Sequence, residues 1–283
     1  MDLHEGLFFT TREEEMVRIA IGIMVIGMAR LASGAQIDNG IPHAPQVTLE
    51  ESKGAVIEKT VPVGPIKVQV VWSKKTAQPV IAITIDDCYS GALLEKAHEV
   101  AIRNDVKFTF FPTGNAVSQY PKMWKEIYAF GHEIELHTQS HTQMTKMSEE
   151  GQYDAYRKNI ETLRSVLGEA VTFSYVRPPC GSGVFGYEKS GCMPSYRRAV
   201  ERLGIYNGVP IDIAMWSGDS LFIGGKQSSG EEVQRYFRTT LSPGMIYLYH
   251  TRKADVGQLE EMVQYAKSKG YRLVTLKELL VDT

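Results

Sequence analysis

The sequence predicts an α/β protein, a (β/α) barrel of seven or eight units, complete or incomplete, and three observations carry that expectation. From Val80 onward, short apolar runs alternate with amphipathic segments, the order that builds a parallel sheet with helices packed outside it. The run IAITI at 81–85 is almost continuously apolar, as a strand covered on both faces must be. Residues that do chemistry stand where such runs stop, at Asp86, Asp87, His137 and His250. The carboxyl ends of the strands are where α/β barrels keep their sites.

Composition bounds the rest. With 283 residues, 43% hydrophobic and 23% charged, the chain can bury a core and is neither disordered nor fibrous. A formal charge of −2 gives no global attraction to nucleic acid or anionic lipid, so nucleic acid is excluded as a partner and an uncharged polymer is an easier one.

The N-terminal residues 1–35 read as a signal peptide or membrane anchor. From Met16 the chain runs MVRIAIGIMVIGMARLASGAQ, with Arg18 as a short basic region, an apolar stretch from Ile19 to Ala29, and small residues Ser33 and Ala35 spaced like a cleavage site. Met16 is therefore expected to be the true start, because Glu13, Glu14 and Glu15 occupy the place where a signal carries positive charge. The competing reading is an amphipathic or buried helix. Residues 36–53, polar and containing Pro42 and Pro45, read as a linker. Residues 54–79 are rich in Val and alternate, which suggests a short β segment flanking the main domain, with a turn at Gly64 and Pro65. The main domain is expected over 80–283.

Within it, Leu93, Leu94, Ala97, Val100 and Ala101 share one helical face, and His98 falls off that stripe as a surface residue. KFTFF before Pro112 is a second strand, Pro121 opens a helix, and HEIEL leads as a third strand into His137. Tyr153, Tyr156, Ile160, Leu163 and Leu167 mark a long helix whose apolar stripe is core. A strand near Phe173–Val176, a helix around Tyr196–Leu203, apolar runs at 205–209 and 211–215, a helix at 231–241, the strand MIYLY, a helix carrying Val256, Leu259, Met262, Val263 and Ala266, and a last short strand and helix complete the series.

The chemistry concentrates in four places. Asp86 and Asp87 are adjacent, so on a regular strand they would face opposite ways; both reach one site only where the chain leaves the strand. In HTQSH, His137 and His141 lie four apart, which on a helical turn would stack them roughly 5–6 Å apart, a separation that suits two nitrogens on one zinc-like ion. Two histidines at this spacing are by themselves more often surface or capping residues. One Asp with two His leaves open positions for water and substrate, the layout of a catalytic site. His250 ends MIYLYH at a barrel strand's catalytic address, and Arg177 opens RPPCG.

TIDD, HTQSH, RPPCG and LYH, in this order, resemble the polysaccharide deacetylases of the NodB-homology type (carbohydrate esterase family 4), over about Val80 to Leu280. The resemblance implies a distorted (β/α) barrel and metal-dependent removal of acetyl groups from N-acetylated sugars. It makes Asp86 the general base, Asp87, His137 and His141 the metal ligands, and His250 the general acid. Arg177 would hold Asp86, the backbone N–H of Cys180 would serve the oxyanion, and Leu248, Trp216 and Asp219 would stand at the substrate. The implied cofactor is a divalent metal, Zn2+ ahead of Co2+ or Ni2+; the implied partner is an N-acetylated glycan polymer. Membrane contact is expected only through the N-terminal segment, for an exported, secreted or surface-anchored monomer.

The sequence departs from the family at three points. Cys88 stands where a glycine usually follows the Asp pair and is expected to crowd the metal or tighten the loop, the segment Gly181–Met193 is longer than the usual turn, and Phe222 aligns with the aspartate that usually orients the catalytic histidine. Asp219 is the one carboxylate available nearby, and its offset by three residues reads as a weakened motif that leaves it out of reach of His250. Two further expectations concern the longer segment: a Cys180–Cys192 disulfide, with Cys88–Cys180 second, and a sugar-binding rim carrying Phe185 and Tyr187. The rival functions are a metal-dependent hydrolase of another amide or ester on the same barrel, and a carbohydrate-binding pseudoenzyme.

Overall fold

The computed structural model describes residues 67–223 and 226–281. Residues 1–35, read above as a signal peptide or anchor, residues 36–53, read as a linker, and the turn expected at Gly64 and Pro65 lie outside the described residues. The described strands are β1 (Val70–Val71), β2 (Val80–Asp87), β3 (Thr109–Pro112), β4 (Glu133–Ile134), β5 (Tyr175–Val176), β6 (Asp212–Ala214), β7 (Gly218–Asp219), β8 (Phe222–Ile223), β9 (Lys226–Gln227), β10 (Ile246–His250) and β11 (Arg272–Val274). The helices are α1 (Gly91–Asn104), α2 (Gly114–Gln119), α3 (Pro121–Ala129), α4 (Glu149–Leu167), α5 (Pro194–Asn207), α6 (Gly230–Thr240), α7 (Lys253–Val256), α8 (Leu259–Ser268) and α9 (Leu276–Val281). None of the described helices is long and apolar enough to cross a membrane.

β2 is the strand on which the barrel is built. Its first residues pair in parallel with β11 and its last with β3, while β10 runs in parallel along its other edge. Covered on both sides, every β2 residue from Val80 to Asp86 is buried, which is why the run is apolar until the carboxylates. The two faces separate cleanly. Ile81, Ile83 and Ile85 pack into the large core beneath the helices, with Leu94, Phe110 and Trp124, whereas Val80 and Ala82 pack inside the barrel with Phe111, Ile246 and Val274. Period-two alternation therefore sets Thr84 and Asp86 on the interior face above Ala82.

The ring closes through short seams, which is what distorts it. β4, β3, β2, β10 and β7 follow one another in one sheet, and β1, β6 and β5 in a second. Between them stand single bridges, Leu136 to Val176 in parallel and Ser73 to Met245 antiparallel. At the first seam a side chain replaces ladder bonds: buried Glu135 accepts from the N–H groups of Ser174 and Tyr175 at 3.0 and 2.9 Å. Burial, with the Glu133 charge behind it, pushes that carboxyl well above its ordinary range. The segment 54–79, expected to flank the domain, contributes β1 to the ring itself, in parallel register Val71 to Ala214. The physical reason is that β6 would otherwise expose an unpaired edge.

His98 also departs from expectation. Instead of lying on the surface it is half-buried, with Nδ1 3.1 Å from Nε2 of buried His132. The backbone N–H of Phe108 donates to His132 Nδ1 at 3.0 Å, which fixes the tautomer and makes Nε2 the donor to His98. Burial lowers the His132 pKa to about 3. The unfolded imidazole titrates near its ordinary 6.5, so the neutral pair stabilises the fold fully above that pH and loses its contribution as pH falls from 6.5 toward 3. The expected slope is about 1.4 kcal/mol per pH unit. Denaturant titrations at pH 7, 6 and 5 should show it, and His132→Gln should flatten it; an unchanged slope in that variant would assign the acid sensitivity elsewhere.

Candidate metal centre and active site

Inside the barrel mouth, the carboxyl ends of β2 and β10 meet in register, Leu248 beside Thr84 and His250 beside Asp86. Asp86 reaches the interior by alternation alone, but Asp87, one residue on, would point into the core. It does not, because its backbone turns into the left-handed region, φ 66°. Cys88, Thr138, His141 and Cys180 share that conformation, at φ 64°, 68°, 59° and 56°. Among the described non-glycine residues, Asp105 at the end of α1 is the one other case. Strain of this kind costs on the order of 1–3 kcal/mol per residue and persists where the surroundings over-determine it; here it brings the side chains of Asp87 and His141 together.

At their meeting point stands a group of side chains that could hold a metal ion. Nε2 of His137 and His141 lie 3.3 and 3.1 Å from Asp87 Oδ1, and the three ligand atoms fall within 4.8 Å of one another. The imidazole rings stand 5.1 Å apart, as their spacing predicts, but no helix carries them. Residues 137–141 form a tight turn closed by the His141 N–H on Thr138 Oγ1 at 3.0 Å, because the left-handed Thr138 cannot begin a helix. His137 Nδ1 donates to the Arg177 carbonyl at 2.9 Å, so neutral His137 presents the bare lone pair of Nε2 to a carboxylate oxygen. A cation fits between such acceptors. Burial raises the Asp87 carboxyl, but its contacts with both imidazoles outweigh burial and hold it well below the usual carboxylate range. Burial likewise pushes the His137 imidazole down, and the charges of Asp86 and Asp87 outweigh it. The same negative field favours a bound cation.

Arg177 lies beneath the cleft floor, 0% exposed, with Nη1 2.7 Å from Asp86 Oδ1. Its other donors are spent on Thr84 Oγ1 and on the carbonyls of Ala214 and Met215, and its Cζ stands over the Phe111 ring, 4.0 Å from the centroid. Burial pushes the guanidinium down and the neighbouring Asp86 opposes it. The cleft, about 410 Å³, is walled by Asp86, Asp87, His137, His141, Cys180, Trp216, Asp219, Leu248 and His250, with Phe185, Leu221 and Arg252. Tyr187, expected on the rim, is not among its walls.

Three expectations are corrected. The cysteines are free thiols: Cys180 is exposed at the cleft while Cys192 is buried among core residues, so the two do not pair. Cys88 does not crowd the metal ligands; its thiol turns into the core toward the carbonyls of Ile85 and Asp86, at 3.6 and 3.7 Å, and burial raises its pKa. The carboxylate beside His250 is Asp255, not Asp219. Asp219 Oδ1 accepts from the Leu221 N–H in a local turn, and the Phe222 side chain lies outside the described residues. Asp255, 0% exposed on α7, accepts the His250 backbone N–H at 2.9 Å and lies 4.0 Å from the otherwise unpartnered His250 Nδ1. Arg252 grips it through two bonds of 2.8 and 2.7 Å, and Ser220 adds a third at 3.1 Å. An acid five residues beyond a strand-end histidine, at the opening of a helix, is the sequence signal that could have found it.

The polysaccharide deacetylase family model matches residues 73–201. Over 246 residues the chain is 28% identical to the peptidoglycan-N-acetylglucosamine deacetylase PgdA of Listeria monocytogenes, a match covering 84% of this chain and 47% of that protein. The chain thus spans about half of that relative's length. Over 210 residues it is 26% identical to the peptidoglycan-N-acetylmuramic acid deacetylase PdaA of Bacillus subtilis, covering 73% of each. Wild-type BA3943 of Bacillus anthracis, a CE4 family pseudoenzyme, shares the fold with a TM-score of 0.64 at 20% identity, over 75% of this chain and 69% of that one.

Proposed function

We infer that this chain, which belongs to the polysaccharide deacetylase family, is a metal-dependent hydrolase that removes N-acetyl groups from GlcNAc- or MurNAc-containing glycan, with peptidoglycan the foremost substrate. The observation that carries the reading is the pairing of two proton-transfer groups across one register: Asp86, held by Arg177, stands beside His250 and next to the ligand set. Export through residues 1–35 belongs to the same reading.

A divalent cation held by Asp87, His137 and His141, zinc first, would polarise the acetamide carbonyl and acidify a water. Asp86, as an ionised carboxylate, takes the proton from the attacking water as its oxygen bonds to the acetyl carbon. The N–H of Cys180, a left-handed residue that lines the cleft, would serve the developing oxyanion. His250 gives a proton to the departing nitrogen, the C–N bond breaks, and acetate and a free amine leave. Leu248 and Trp216 wall the cleft with apolar surface where the acetyl methyl sits. Acetate release from N-acetylchitooligosaccharides and from peptidoglycan, with chelator and after zinc is restored, tests this. Glycan binding without acetate release under every divalent metal would favour the pseudoenzyme reading.

Asp255 is placed to orient the acid. Asp255→Asn keeps the shape and an acceptor for the His250 N–H but removes the charge near Nδ1. It is expected to lower kcat on the order of 10- to 100-fold with KM little changed, the signature of an acid mispositioned in the transition state. Asp219→Asn should cost far less. A thermal melt checks that Asp255→Asn folds, and equal losses in the two variants would refute the assignment.

A further inference from the structure

Three aromatic rings run outward from the cleft. Trp216 walls it; Phe185 stands edge-on to Trp216 with centroids 5.6 Å apart; Trp72 follows Phe185 at 5.7 Å. Trp72 is 37% exposed and Phe185 49%, so the outer two rings face solvent. Single exposed aromatics need no explanation, but a contiguous run continuous with a binding cleft does.

The rings are exposed and yet held. Trp72 sits between two backbone pairs, Val71 with Ala214 and Ser73 with Met245, and the Met215 N–H donates to the Val71 carbonyl at 2.8 Å. Trp72 and Trp216 thus project from neighbouring segments in fixed register. Phe185 is seated against Gly181, whose backbone is left-handed at φ 64°. A Cβ there would stand 2.2 Å from Phe185 Cε2, so the ring occupies space that only glycine leaves open. Rings already fixed lose little freedom when a ligand lands on them.

We propose that Trp72, Phe185 and Trp216 form one aromatic platform that binds the sugars flanking the residue being deacetylated, so that the protein acts on extended glycan chains and discriminates against short ones. This rests on the deacetylase reading and adds subsites to it. Pyranose rings present flat C–H faces to aromatic rings, and the three rings, in mutual contact at 5.6 and 5.7 Å and inclined by 84° and 49°, make one continuous apolar surface from the cleft outward. Trp72 comes from the segment before the barrel's central strand, which gives that segment a role at the site.

The test compares kcat/KM for acetate release from N-acetylchitobiose and N-acetylchitopentaose, together with binding of the pentaose followed by tryptophan fluorescence. Wild-type protein should gain with length. Trp72→Ala and Phe185→Ala should lose about tenfold on the pentaose and much less on the disaccharide, and Trp72→Phe should restore most of the loss. A wild-type rate independent of length, or equal loss on both substrates, overturns the platform. So does self-association of the wild type that Trp72→Ala abolishes, which would make the face a protein interface. Pentaose binding that weakens in Trp72→Ala with no acetate released by any form would sustain the platform and sink the deacetylase reading; acetate release without length dependence would do the reverse.

Discussion

Replacing His137, His141 or Asp87 by alanine, one at a time, is expected to remove tight divalent-metal binding and acetate release together. The three ligand atoms lie within 4.8 Å of one another, and among the described residues they are the only such group of three or more. Two ligands hold a borderline cation far more weakly than three, and the loss exceeds anything a surface substitution produces. The variants should differ in folding. His141 is partly exposed and ends a turn, so its alanine variant should keep near-normal stability. His137 is buried, with its ring on the Arg177 carbonyl and its N–H on Asn159 Oδ1, so its loss also leaves a hole. Calorimetric titration with zinc, read beside activity, separates these effects. Undiminished zinc affinity in His141→Ala would overturn the ligand assignment.

Asp86→Asn is expected to cut kcat on the order of 10²- to 10⁴-fold while zinc still binds, because the amide keeps the shape but cannot accept the water's proton. Arg177→Met should do different damage. It strips the partner from a carboxylate that is 2% exposed and leaves Thr84 and two carbonyls without their donor, at a cost of about 3–5 kcal/mol of stability. Removing both charges, in Asp86→Asn with Arg177→Met, should recover part of that stability and none of the activity. Chemical denaturation of the four forms measures the coupling. Additive losses would mean that the ion pair does not act as a unit.

The sequence by itself determined those parts that follow from local periodicity. Near-continuous apolarity in 81–85 requires a doubly covered strand; strand alternation puts Asp86, Leu248 and His250 on interior faces; and the stripes of Leu94, Ala97, Val100 and Ala101, or of Tyr156, Ile160 and Leu163, require helices lying on a core. The residue types that bind metal and move protons were legible because they stand where such strands end. Tertiary structure decided what depends on contacts between distant segments and on single backbone angles. A left-handed Asp87 brings two adjacent carboxylates to one site, and a left-handed Thr138 replaces the expected helical turn under His137 and His141. Asp255 supersedes Asp219 because α7 folds back beneath the end of β10, a matter of packing rather than spacing. Trp72 joins Phe185 and Trp216 only because β1 pairs with β6 across more than a hundred residues. Side-chain periodicity is a property of a few consecutive residues; which strands become neighbours is settled by burying all of them at once.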